Sequence, residues 1–201
     1  KPESYREVLD DVGDFAHQWV GVGNATRAID LADVVVCGLV GDVPARTNFV
    51  ATLLSPINQQ RHRLPRSLRQ LASLVTEDVA LGYDWTVAES DSVEQSSALT
   101  ASRRILLYSL DTGTLARLER TIDLQWPNMR VEVSSDKDGN PALKQHARNA
   151  DLIILATRRA THAATGFITD NAQGALIRYP NGSGSASMLR AVESGLAELL
   201  D

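Results

Sequence analysis

Apolar residues recur at helical spacing through residues 8–79, then gather into short unbroken runs after residue 103. The first regime predicts amphipathic helices and the second predicts buried strands. Val8, Val12, Phe15 and Trp19 share one face of a first predicted helix, which ends near Gly21; Pro2 and Glu3 suit its first turn. Asn24 is the expected cap of a second helix, with Ala28, Leu31, Ala32, Val35, Val36 and Leu39 inward. Its β-branched run at 34–36 leaves a strand as the competing reading there. Asp42 is the expected cap of a third helix, with Pro44 in its first turn and Phe49, Val50, Leu53, Leu54 and Ile57 inward. The stretch QQRHRLPRS breaks the pattern, and Pro65 starts a fourth helix carrying Leu68, Leu71, Ala72, Val75 and Val79. Helices joined by short loops make a small bundle or cap.

The second half alternates. RRILLYSL (103–110), MRVEVSS (129–135), DLIILAT (151–157) and GALIRY (174–179) read as strands. Helical patterns follow each of them, the last being MLRAVESGLAELL. The first and third runs show no apolar–polar alternation, as strands covered on both faces should. Strands separated by helical crossovers imply a parallel sheet with right-handed connections. The predicted fold class is therefore α/β: a small parallel Rossmann-like sheet preceded by an α-helical bundle or cap. A helical domain is expected over 1–83, a polar linker over 84–102 and the Rossmann-like domain over 103–201. Within the linker, WTV is a candidate edge strand.

Composition narrows the classes. The chain of 201 residues is 43% hydrophobic, enough for one large or two small cores. With 20 basic against 25 acidic residues it carries a formal charge of −5, which argues against a general nucleic-acid surface. The single cysteine, Cys37, excludes an intrachain disulfide and fits a cytoplasmic protein. No apolar run reaches membrane-spanning length, and no membrane partner is expected. The chain opens with Lys1 rather than Met, which reads as a piece of something longer.

Candidate chemistry collects where the strands end, because open parallel sheets bind ligands beyond their carboxyl edge. The turn NGSGSAS is the sharpest element. Gly182 and Gly184 can take backbone angles barred to other residues, Asn181, Ser183, Ser185 and Ser187 offer polar groups, and the next helix offers free N–H groups. An ordinary capped helix uses the same residues. Asp111, Thr112 and Gly113 of DTGT form a second candidate anion loop. Thr157, Arg158, Arg159 and His162 follow the third strand, where arginines can fork onto a phosphate or carboxylate, or pair with Asp111, Asp136 or Asp170. No metal-ligand spacing is present, so neither a metal nor a cofactor is expected. Arg61, Arg63 and Arg66 form a basic loop that is either solvated or a nucleic-acid contact, but no aromatic residue interleaves with them.

The segment from DLIILATRRATHAATGFI to GALIRYPNGSGSASMLRAVESGL resembles the small Rossmann-like domain of the bacterial DUF2325 family. The matching positions are Thr157, His162, Arg178, Tyr179, Gly184, Ser185 and Ser187, and the resemblance covers roughly 103–200. It implies the fold and the rim, and it implies no activity. The first loop, SLDTGT, lacks the glycine pair of that pattern, and the helical half has no counterpart in it.

Three functions follow as expectations. The leading one is a non-catalytic accessory or sensor module of a larger bacterial protein. It would bind a small anionic or nucleotide-like ligand or a protein partner, and its helical half would dock on other domains or a second copy. The alternatives are a hydrolase or phosphoryl-handling enzyme using His162 with Asp111 or Asp136, and a nucleic-acid-binding accessory domain.

Overall fold

The computed structural model describes residues 7, 10–12, 14, 16–18, 21–37, 42–87 and 102–200. Most of the first predicted helix, the inward position Leu39 and residues 88–101 of the predicted linker lie outside the described residues. The chain divides into two compact units, Lys1–Ala88 and Glu89–Asp201.

In the first unit, α1 (Val22–Cys37), α2 (Val43–Gln59) and α3 (Arg66–Glu77) form the core. α1 packs on both α2 and α3. Its buried face is mostly small: Ala25, Ala28, Ile29, Ala32 and Val35. Phe49, Val50, Leu53, Leu54 and Ile57 of α2 and Leu68, Leu71, Ala72 and Val75 of α3 complete that core, as their spacing predicts. The β-branched run at 34–36 is helical. Leu31 and Val36 are only half-buried, so the inward face is narrower than the periodicity suggests.

Asp42 caps α2 by accepting the Ala45 N–H at 3.0 Å. Asn24, by contrast, is not a cap. The first helical bond of α1 runs from the Ala25 N–H to the Gly21 carbonyl, which leaves Asn24 inside the first turn.

After α3 the chain folds back as a strap, residues 81–87. The Tyr83 hydroxyl donates to the Ala51 carbonyl at 3.2 Å and the Asn58 amide to the Asp84 carbonyl at 2.8 Å. Trp85 is buried and donates its indole N–H to the Thr76 hydroxyl at 3.1 Å. WTV is therefore not an edge strand: burying a large indole with its N–H satisfied holds it against the helices instead. Thr86 donates its N–H and hydroxyl to the Asp84 carboxylate, and those bonds hold that carboxyl below its usual range.

The second unit is the expected α/β fold. β1 (Arg104–Tyr108), β2 (Arg130–Ser134), β3 (Leu152–Leu155) and β4 (Leu176–Arg178) form a parallel sheet in the order β2-β1-β3-β4. Between and after them run α4 (Thr112–Gln125), α5 (Pro141–Asn149), α6 (His162–Asn171) and α7 (Ser185–Glu198). Ile105 to Tyr108 and Leu152 to Leu155 are all 0% exposed, so both central strands are covered on both faces. Leu106, Tyr108, Ile153 and Leu155 pack with Leu143 and Ala147 of α5 and Ala164 and Ile168 of α6. The alternate residues face α4 and α7, which pack on each other.

Two glycine-type positions carry testable consequences. At the end of α3 the Leu81 N–H bonds to the Thr76 carbonyl and the Ala80 N–H to the Glu77 carbonyl. That turn forces Ala80 to a φ of 56°, where glycine is the usual occupant. Left-handed geometry costs an alanine about 1–2 kcal/mol, while glycine adds unfolded-state entropy of about half that. Ala80→Gly should therefore raise stability by about 0.5–1 kcal/mol, read as a higher urea midpoint; a lower midpoint would show that the turn is unstrained. Gly195 of α7 is the close-packing case. A Cβ there would lie 2.5 Å from Leu152 Cδ1, and Leu152 is fully buried. Gly195→Ala should cost about 1–3 kcal/mol in overpacking, more than the ~1 kcal/mol that alanine's helix preference returns. A double-mutant cycle with Leu152→Ala should show coupling, and simple additivity would refute the contact.

Candidate functional site

The parallel sheet brings every strand-to-helix loop to one edge, as the sequence predicts. The strand order adds what the sequence does not contain. β1 connects to β2 on one side, and the chain then returns to lay β3 on the other side of β1. Such a reversal is where open parallel sheets take ligands, because the loops after β1 and β3 leave toward opposite faces of the sheet.

The β1 loop is fixed by its own polar groups. Ser109 is buried, and its hydroxyl accepts the Asp111 N–H at 3.2 Å. Asp111 caps α4, accepting the Thr114 N–H at 3.2 Å. Thr112 is exposed at the start of that helix and Gly113 is half-buried. After β3, Thr157–Arg159 form a short 3-10 turn with Thr157 and Arg158 exposed. The side chain of Arg159 lies outside the described atoms. Thr161 caps α6, accepting the Ala164 N–H at 3.1 Å, and donates its hydroxyl to the Lys137 carbonyl. His162 opens α6 with its side chain exposed.

The β2 loop is locked as well. The Ser134 hydroxyl donates to Asp136 Oδ2 at 2.9 Å, and the Tyr108 hydroxyl donates to the Asp136 carbonyl at 2.7 Å. Asn140 caps α5 through the Leu143 N–H at 2.8 Å. Gly139 lies beneath Phe167, where a Cβ would meet the ring at 2.3 Å. Burial pushes the Tyr108 phenol above its ordinary range, against the opposing pull of hydrogen bonding with Thr161. Tyr108 is the site residue that sequence reasoning missed. Inside an apolar run it reads only as core, and its hydroxyl reaches a loop 28 positions away.

Around NGSGSAS the structure alters two readings. Among the described residues, Gly174 is the glycine at positive φ, whereas Gly184 sits at φ −89°. The turn therefore does not draw on left-handed backbone; an extended residue before a helix is reached by most side chains. Ser185 opens α7 but is 0% exposed, so its hydroxyl faces packing rather than solvent. Ser183 and Ser187 are half-buried and Asn181 is exposed. In the second unit α4, α5 and α6 each carry a side-chain cap, but α7 begins after Gly184 and has none from its N-cap residue.

The basic loop of the first unit separates into different roles. Arg61 donates its Nε–H to the Thr86 carbonyl at 2.7 Å and lies 3.8 Å from the Asp84 carboxylate, so it clasps the strap. Arg63 and Arg66 are exposed. Among the described residues no group of three or more His, Cys, Asp or Glu could hold a metal ion, and no helix is long and apolar enough to cross a membrane.

No curated protein and no solved structure matches the chain. A family model described as DpdD-like matches residues 1–191. That match overturns the resemblance to the DUF2325 family. The residues behind the resemblance, Thr157 to Ser187, trace a strand, a histidine-bearing loop, a helix, a strand and a serine turn. Such an order is generic to parallel α/β units, whose loops are polar and whose strands are apolar for reasons of burial alone. The DpdD-like match also takes in the helical half, which that resemblance left without a counterpart. The chain belongs to the DpdD-like family.

Proposed function

We propose that the protein is a non-catalytic accessory or sensor module whose α/β unit binds a small anionic or nucleotide-like ligand at the carboxyl edge of its sheet. One observation carries this reading. The strand order reverses between β1 and β3, and α4 and α7, packed together on one face, both begin at that edge. Parallel helix starts present N–H groups and positive dipole ends in the same direction. Arg158 and Thr157, exposed on the β3 loop at the same edge, supply a cation and a hydroxyl.

The residues named for acid–base chemistry favour this reading over the hydrolase. Asp111 is engaged as the cap of α4, and the Asp136 carboxylate accepts from Ser134. Asp111 caps α4 and His162 opens α6, helices that lie on opposite faces of the sheet.

Titrating nucleotides and phosphorylated metabolites into the full chain tests the proposal. At least one should bind saturably, and Arg158→Ala should weaken it about tenfold or more, as expected for losing a charge-assisted hydrogen bond. Ser185→Ala is a poor probe, since a fully buried serine reports on packing. A folded wild type, verified by circular dichroism, that binds nothing in the panel would leave the rim as scaffold.

A further inference from the structure

At the opposite edge of the same sheet lies a cleft of about 180 Å³, lined by Arg104 of β1, Arg130 and Glu132 of β2, and Gln145, His146 and Asn149 of α5. Leu106 and Ala150 give it an apolar floor. We propose that this cleft is a second binding site, for a small molecule held through an oxyanion group, a phosphate or a carboxylate.

Arg104 and Arg130 are direct partners in the parallel register, so they emerge on one face of neighbouring strands about 4.8 Å apart. Like charges so placed repel, and ordinarily a local carboxylate lies between them. Two carboxylates lie close by in the chain or the register, and both face other groups. Asp151 accepts the backbone N–H of Arg104 at 2.8 Å and pairs with the guanidinium of Arg103 at 4.0 Å. Glu132, two positions beyond Arg130 on the same face, is turned to His146, with Oε2 3.4 Å from Nδ1. Among the described residues neither Arg104 nor Arg130 has a carboxylate partner for its guanidinium.

The lining is thus a pair of guanidiniums against one carboxylate, with the amides of Gln145 and Asn149 as further donors. Two planar forks over one cleft match the oxygens of a phosphate or carboxylate. Size sets the class. At about 30 Å³ per water the cleft holds about six waters, room for an oxyanion group and a few attached atoms. It is smaller than the ~300 Å³ at which sites for larger organic ligands begin.

The test is ¹⁵N NMR of the full chain, titrated separately with inorganic phosphate and with succinate at constant ionic strength. The signals to follow are the Nε–H groups of Arg104 and Arg130 and the side-chain amides of Gln145 and Asn149. Saturable shifts at these groups are expected with at least one anion, and the tighter of the two identifies the head group. Arg104→Gln and Arg130→Gln should each weaken binding about tenfold. Arg120→Gln, which removes the same charge from an exposed position on α4, should leave it unchanged. Shifts absent with both anions, confined to the carboxyl edge, equally weakened by Arg120→Gln, or unaffected by both cleft substitutions would overturn the proposal. A response at the carboxyl edge alone would sink this site and leave the ligand site there standing.

Discussion

The second unit depends on burying β1 and β3 from both sides. Neither strand exposes any side chain between Ile105 and Tyr108 or between Leu152 and Leu155. A parallel pair with two apolar faces is stable only under two helical layers. Right-handed crossovers then decide the layers: α5 and α6 on one face, α4 and α7 on the other. Close approach follows from the same demand. Gly195 lets α7 settle on Leu152, and Gly139 lets the β2 loop pass beneath Phe167.

With the layers set, the sheet has two unlike edges. At the carboxyl edge polar side chains serve the loops themselves. Asp111, Asn140 and Thr161 cap helices, Ser134 engages Asp136, and Tyr108 ties the β2 loop to the end of β1. The edge is pre-shaped, and α7 is the helix there whose N-cap residue is a glycine. At the amino edge the carboxylates turn away from the paired arginines, toward Arg103 and His146. Two exposed arginines thereby stand side by side on β1 and β2 despite a net acidic chain. Whole-chain charge speaks to solubility and steering, not to local sites.

The first unit solves a different problem. The strap after α3 carries Trp85 back onto the helices, where the buried indole donates to the Thr76 hydroxyl. Arg61 and Asn58 clamp its backbone by side-chain donors. The left-handed alanine at residue 80 is part of the same device, because the chain must reverse sharply after α3 to return across the bundle.

Local pattern alone determined much of this. The periodicity of Phe49 to Ile57 and of Leu68 to Val75, the caps at Asp42 and the unalternating runs at 105–108 and 152–155 specify helices, a parallel sheet and a polar edge. Each of those signals arises from residues a few positions apart, which share a helix face or a strand. The strand order, the facing of Arg104 and Arg130, the reach of Tyr108 to Asp136 and the burial of Ser185 were decided by tertiary structure alone. These are relations between residues far apart in the chain. A serine next to glycines carries the same local signal whether its hydroxyl meets solvent or core, and an arginine carries the same charge whether or not a carboxylate comes to meet it. Only packing, which sets every distance at once, distinguishes the two.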